Sequence, residues 1–340
     1  MPLFIDDLSA FVRSLDEREQ RFFSGPLHWA ILANGDADFH DNVIFFGFHE
    51  KQNDPVVVAK VPRLTENGWM LQTEYDHLVE LWTCIGEDAA QFIPKPYALT
   101  TIQERLVLML SYVSGESLTR LSPRSFWRNG EQVSALAREA ARCLHHLNRL
   151  TENPIERGES LDPHFAEKSN KFRELFLVTP EEERVLSDLV QTVESRVASA
   201  SHKVLIQGDF WHGNMIQDEK RNKLMLVDWQ FARWSADVSM DVYFFLLAGA
   251  LSATEGSVEG RAKEAFALLD QWRTDVIAPY LATYGKPEHY VLLPQKYGML
   301  LCCVEKATRS ALEFGYSHPD DFLWRQLFAE LMNWPAEKES

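Results

Sequence analysis

Positive charge is scarce in this sequence: 34 Lys and Arg stand against 50 Asp and Glu among 340 residues, a formal charge of -16 at pH 7. Such a chain has no general electrostatic pull on nucleic acid phosphates or anionic lipid, which excludes both as expected partners. A small cationic substrate would be welcome. Cysteine is also sparse, and the four residues Cys84, Cys143, Cys302 and Cys303 show neither C-x-x-C spacing nor a disulfide framework. A reducing, cytoplasmic setting is therefore expected. The opening MPLFIDDLSAFV carries acids where a signal peptide would carry basic residues. The longest apolar run, VYFFLLAGALSA from Val242, is too short to span a bilayer, so no membrane is expected. A G-x-G-x-x-G phosphate loop, internal repeats and low-complexity segments are likewise missing.

What is present divides into two halves. LHWAIL and NVIFFGF flank the turn-rich ANGDADFHD and predict a hairpin, followed by PVVVAKV as a central strand. WMLQTEYDHLVELWTCI places Leu71, Tyr75, Leu78, Leu81 and Trp82 near helical spacing, and RLVLMLSYV over 105–113 reads as a buried strand. After SGES the pattern changes to long amphipathic helices. EQVSALAREAARCLHHLNRL aligns Val133, Leu136, Ala140, Leu144 and Leu147 on one face. Thr179, Pro180 and Glu182 open another helix as N-cap, first helical residue and capping-box acid. Short strands return between Lys203 and Ala232, and helices resume from about Asp237.

In that return stretch, KVLIQGD reads as a strand that stops at Gly208, FWHGN as a tight loop, and LMLVD as a second strand. This spacing predicts that Asp209, Asn214 and Asp228 reach one end of a small sheet. Asn214 and Asp228 suit a hard divalent cation such as Mg2+, which takes one or two protein oxygens and fills its other positions with water or phosphate. Asp209 is left to orient a hydroxyl. Phosphoryl transfer uses that division of labour, although Asp and Asn also stabilise turns through their own side-chain hydrogen bonds.

An independent sign lies upstream. A kinase needs a cation on the nucleotide phosphates, held by an acid from the following helix. Lys60 in VVVAKVP and Glu74 in the predicted helix fit this pair, because a lysine inside an apolar strand requires a counter-ion. A strand-end lysine reaching to water is the plainer alternative.

The set VVVAK, TEYDHLVEL, LMLSYVSGESL, LHHL, QGDFWHGNMI and LVDWQFARWSADVSMDVYFFL resembles the aminoglycoside phosphotransferase and choline kinase family. These are small-molecule kinases with a protein-kinase-like fold, and the resemblance runs in order from about residue 25 to about residue 310. It implies Asp209 as the catalytic Asp, Asn214 and Asp228 as metal ligands, and Lys60 with Glu74 as the phosphate-binding ion pair. LSYV would be the hinge, with the Ser111 carbonyl and the Val113 amide facing the base. Asp241 matches a structural Asp, and His145 a bracing histidine. Two departures stand out: Gln207 replaces the family's usual His, and ANGDADFHDN occupies the place of the phosphate loop.

The expected fold is α+β and two-lobed: an N-lobe over 1–110 with a small mixed sheet and one helix, a hinge over 111–116, and a larger helical C-lobe over 117–340. The expected activity is transfer of the γ-phosphoryl group of ATP or GTP, with Mg2+, to a hydroxyl of an amino alcohol, aminoglycoside or sugar. His212 either contacts substrate or folds back on its loop, and of Trp211, Trp229 and Trp234 most are expected in the core. A nucleotide-binding module without turnover is the rival reading. A metal-dependent hydrolase built on Asp209, His212 and Asp228 would leave Lys60 and Glu74 unexplained.

Overall fold

The structure is a computed structural model that describes residues 2–15, 26–32, 42–50, 52–156, 164–218, 223–314 and 319–335. The expected phosphate-loop segment 33–42 lies outside the described residues apart from Asn42, and so does most of the charged turn after Asp218. The chain forms two compact units, one of residues 1–116 with 216–231, the other of residues 117–215 with 232–340.

In the first unit, helix α1 (Pro2–Ser14) precedes strands β1 (Leu27–Leu32), β2 (Asn42–His49) and β3 (Val57–Pro62). Helix α2 (Gly68–Ile85) then leads to β4 (Pro96–Ile102) and β5 (Arg105–Ser111). The sheet order is β1-β2-β3-β5-β4. Alternation along β3 sends Val57, Ala59 and Val61 into a core with Phe4, Leu8 and Val12 of α1. Lys60 points to the opposite face, toward Glu74 of α2.

The sheet is antiparallel in every pairing, not mixed. The crossover from β3 through α2 does bring β4 back parallel to β3, but β5 folds back from β4 and inserts between them. That fold-back is a two-residue turn at Gln103 and Glu104, with φ of 48° and 63°, the left-handed pair that matches the twist of hairpin strands.

The segment 216–231 joins this unit rather than the helical one to which the sequence assigned it. It begins within strand β7 (Met215–Asp218), is followed by β8 (Lys223–Leu226), and is tied down by a hydrogen bond of 2.6 Å from Leu226 N to Phe92 O. Gly115, at φ 138°, passes so close to Gln217 that a Cβ would lie 2.1 Å from the Gln217 carbonyl oxygen.

The second unit is mainly helical. Helix α3 (Gly130–Thr151) is capped by the Asn129 side chain and buries the whole expected stripe of Val133, Leu136, Ala140, Leu144 and Leu147. After α4 (His164–Leu175), helix α5 (Pro180–Val197) opens with the full capping box: Glu182 N donates to the Thr179 hydroxyl at 3.3 Å, and Thr179 N donates to the Glu182 carboxylate at 2.7 Å. Such a cap is worth about 1 kcal/mol.

Strand β6 (His202–Ile206) is flanked by Asn153–Pro154 on one side and by β9 (Arg233–Ser235) on the other. Helix α6 (Ser239–Ser252) is buried on nearly every face, as a helix apolar all round must be. Helices α7 (Val258–Trp272), α8 (Ala278–Tyr284), α9 (Gln295–Phe314) and α10 (Pro319–Leu331) complete the unit. Among the described residues no helix is long and apolar enough to cross a membrane.

Candidate active site

In the first unit, β3 presents Lys60 and the middle of α2 presents Glu74. Lys60 Nζ lies 2.7 and 2.8 Å from the two Glu74 carboxylate oxygens and 3.1 Å from Asp228 Oδ1. Glu74 is fully buried, Lys60 nearly so, and the Asp228 side chain is 30% exposed. Burial disfavours the Lys60 charge, but the facing carboxylates of Glu74 and Asp228 outweigh it and hold the ammonium protonated far above its ordinary range. At Glu74 burial, reinforced by the Asp228 charge, outweighs Lys60 and moves the carboxyl up.

Asp228 follows β8 at φ 64°, a left-handed conformation rare for a residue with a Cβ. The next amide, Trp229 N, donates to Glu74 at 3.4 Å, and the Trp229 carbonyl lies 3.3 Å from His77 Nδ1. The strained residue is therefore pinned on its C-terminal side, which aims its carboxylate at Lys60.

Ser111 and Val113 sit at the end of β5. Ser111 N donates to Lys95 O at 2.8 Å and its hydroxyl accepts from Lys95 N at 2.7 Å, which fixes the strand end. Among the described residues no hydrogen bond engages the Val113 amide.

In the second unit, the chain leaves β6 through Gly208 at φ 74°. Asp241 of α6 receives Gln207 N at 2.7 Å and Gly208 N at 2.8 Å, so the turn before Asp209 is built on a buried carboxylate. Burial pushes the Asp241 carboxyl up to about 7 despite those two donors. Asn214 Nδ2 donates to Asp209 O at 3.1 Å and to Asp209 Oδ2 at 2.9 Å. That use of its amide nitrogen turns Asn214 Oδ1, the atom a hard cation would bind, away from Asp209.

Two cations unforeseen in the sequence also reach Asp209. Lys306 Nζ lies 2.5 Å and Arg309 Nη1 3.3 Å from Asp209 Oδ1, and Arg309 Nη2 donates to Gly208 O at 2.9 Å. Burial alone would raise the Asp209 carboxyl; the Lys306 and Arg309 charges and the hydrogen bonds override it and hold it below the usual carboxylate range. The readable signal was a pair of basic residues one helical turn apart, Lys306 and Arg309, following the apolar LLCCV of α9.

His212 folds back on its own loop. It is buried, with its ring centroid 4.6 Å from that of Trp127 and 4.9 Å from that of Trp211. Burial lowers it to about 4, so it is neutral at physiological pH. Trp229 is fully buried, while Trp211 and Trp234 are partly exposed. His145 lies edge-on to Tyr284, with ring centroids 5.9 Å apart.

Of the residues expected in the site, Lys60, Glu74 and Asp228 are thus brought together in the first unit, and Asp209 and Asn214 in the second. The phosphotransferase enzyme family matches residues 87–280, more than half of the 340 residues. The chain belongs to that family.

As a phosphotransferase of this family it is a kinase-type enzyme with a small antiparallel sheet lobe and a mainly helical remainder. Its fold is shared with a protein of Ralstonia eutropha JMP134 described as an aminoglycoside phosphotransferase, at a TM-score of 0.56 and 13% identity over 98% of this chain and 99% of that one. A protein of Haemophilus somnus 129PT described as a fructosamine-3-kinase is similar at 0.53, with 16% identity over 92% of this phosphotransferase and 95% of its own length. A thermostable mutant of aminoglycoside phosphotransferase APH(4)-Ia, in its apo form, gives 0.52 with 11% identity, covering 92% and 98% of the two chains. No curated protein sequence matches.

Proposed function

We propose that this phosphotransferase moves the γ-phosphoryl group of ATP or GTP to a hydroxyl of a small molecule. The observation that carries the reading is the Lys60, Glu74 and Asp228 cluster: a buried acid holds a lysine in place, and a strained acid stands beside it. A lone structural ion pair needs no second carboxylate. In the reading, Glu74 fixes Lys60 so that its ammonium meets the nucleotide phosphates without reorganising. The Ser111 carbonyl and Val113 amide are assigned to the base, with 111–116 as the hinge.

We assign Mg2+ to Asp228 and Asn214 as the family resemblance implies, because a carboxylate oxygen and an amide oxygen are donors of the kind this ion takes. When bound, the ion would neutralise charge on the transferring phosphates. Asp209, ionised and held by Asn214, accepts a hydrogen bond from the acceptor hydroxyl and aligns it for attack. As the new bond to phosphorus forms and the bond to the leaving diphosphate breaks, the hydroxyl proton passes to Asp209. A carboxylate held this low is a weak base, so its main contribution is alignment, with proton transfer late in the step.

Lys306 and Arg309 leave the surroundings of Asp209 net positive. We therefore assign the reacting hydroxyl to a neutral or anionic part of the acceptor, with any ammonium group held away from it. Incubation with ATP or GTP, Mg2+ and a panel of amino alcohols, aminoglycosides, sugars and hydroxy acids, read by nucleoside diphosphate release, tests this. Release stimulated by one acceptor class is expected; release indifferent to every acceptor would overturn the reading.

A further inference from the structure

Away from these residues, three metal-grade side chains from three separate segments of the second unit converge. Glu152 follows the last turn of α3, His202 opens β6, and His289 lies in the connection after α8. Each offers one ligand atom, and the three atoms all lie within 4.8 Å of one another. The two imidazoles face each other, with centroids 4.7 Å apart and 38° between their planes.

The backbone beneath them is fixed. Ser201 N and His202 N both donate to His289 O at 2.9 Å, and Ile155 N donates to Ser201 O at 3.0 Å. Pro154 stands opposite His202 in the antiparallel pairing. The three ligand-bearing positions therefore sit on one hydrogen-bonded frame and need no folding of a loop to meet.

Side-chain chemistry points the same way. The Ser201 hydroxyl lies 3.0 Å from His202 Nδ1 and 3.5 Å from His289 O. A hydroxyl that donates to the carbonyl and accepts from Nδ1–H leaves the lone pair of His202 on Nε2, one of the two ring positions through which a neutral imidazole binds metal. The Glu152 side chain is only 11% exposed, and its partner Arg149, at 3.0 Å, is 61% exposed. A guanidinium so open to water can yield its place to a cation.

We propose that Glu152, His202 and His289 form a binding site for a divalent transition metal of the zinc class. Two imidazoles and one carboxylate match Zn2+ with a fourth position for water, and the nitrogen donors select against Mg2+. The ion would clip the end of α3, the start of β6 and the connection after α8, so its effect is on stability.

The test uses the full-length chain without a histidine tag, stripped with chelator and titrated with Zn2+ against a chromophoric competitor, with thermal unfolding alongside. One equivalent should bind, and saturating Zn2+ should raise Tm by about 5 °C, while Mg2+ does neither. His289→Asn, at an exposed position, should keep the fold and weaken Zn2+ binding about tenfold or more, as should Glu152→Gln. Cys84→Ser, which removes the exposed thiol, should change nothing. Unchanged Zn2+ affinity in both ligand variants, or loss of binding in Cys84→Ser, would overturn the proposal.

Discussion

Lys60 and Glu74 form a two-pronged ion pair, Nζ to the carboxylate oxygens at 2.7 and 2.8 Å, in which the acid has no exposure to solvent. Removing Lys60 strands Glu74 in a buried site at a cost of about 3–5 kcal/mol, whereas removing Glu74 leaves Lys60 with Asp228 at 3.1 Å and costs less. Lys60→Met and Glu74→Gln together should therefore cost less than the sum of the single variants, by about 1 kcal/mol or more. Urea unfolding of the four proteins measures it. Additivity within about 0.5 kcal/mol would mean that the pair contributes nothing as a pair.

Asp228 combines a charge with a left-handed backbone, and the two can be separated. Asn tolerates φ 64°, whereas Ala pays about 1–2 kcal/mol for it. Asp228→Asn should melt close to the parent and lose the Mg2+ dependence of ATP binding; Asp228→Ala should lose both. Isothermal titration of ATP with and without Mg2+ decides it, and an Asn variant that keeps its Mg2+ dependence would remove Asp228 from the metal site.

Lys306 should set the protonation of Asp209. With its charge gone, in Lys306→Met, the Asp209 carboxyl loses the stronger of two cations that hold it low, so its pKa rises. The acid limb of the pH profile of kcat/KM should move to higher pH, together with a loss of about tenfold or more in kcat. An unmoved acid limb would reduce Lys306 to a packing residue.

Burial pushes Asp237 from 3.8 to about 6. The folded state thus holds this proton more tightly than the unfolded chain. The resulting stability is complete below about pH 4 and is lost as the pH rises through about 6, up to roughly 3 kcal/mol. Asp237→Asn keeps the Oδ1 acceptor that Ser239 N reaches at 2.9 Å and cannot ionise. Its urea midpoint should fall less between pH 4 and pH 7 than that of the parent. Parallel curves would show that Asp241, pushed up to about 7, carries the slope alone.

Much of this was legible in the chain because the informative residues sit where local rules are strict. The alternation of PVVVAKV put Lys60 on the face opposite Val57, Ala59 and Val61, and helical spacing put Glu74 opposite it. Thr179, Pro180 and Glu182 fixed the start of α5, since capping is a local interaction. The antiparallel sheet was not legible, because the insertion of β5 between β3 and β4 depends on long-range pairing. Strand β9 was too short to show alternation. Lys306 and Arg309 were missed for a different reason: they lie 97 and 100 residues beyond Asp209, in a helix whose apolar pattern gives no hint of the partner. The clustering of Glu152, His202 and His289 is equally a product of tertiary structure.

The central claim is that Asp209 aligns and deprotonates the acceptor hydroxyl and has no part in holding the nucleotide. Asp209→Asn keeps the size of the side chain and its contact with Asn214 while removing its charge. Turnover with the best acceptor should fall by about 10²-fold or more, while ATP affinity measured by titration stays within about twofold. A loss of ATP affinity equal to the loss of rate would contradict the account and make Asp209 a metal-binding or structural residue.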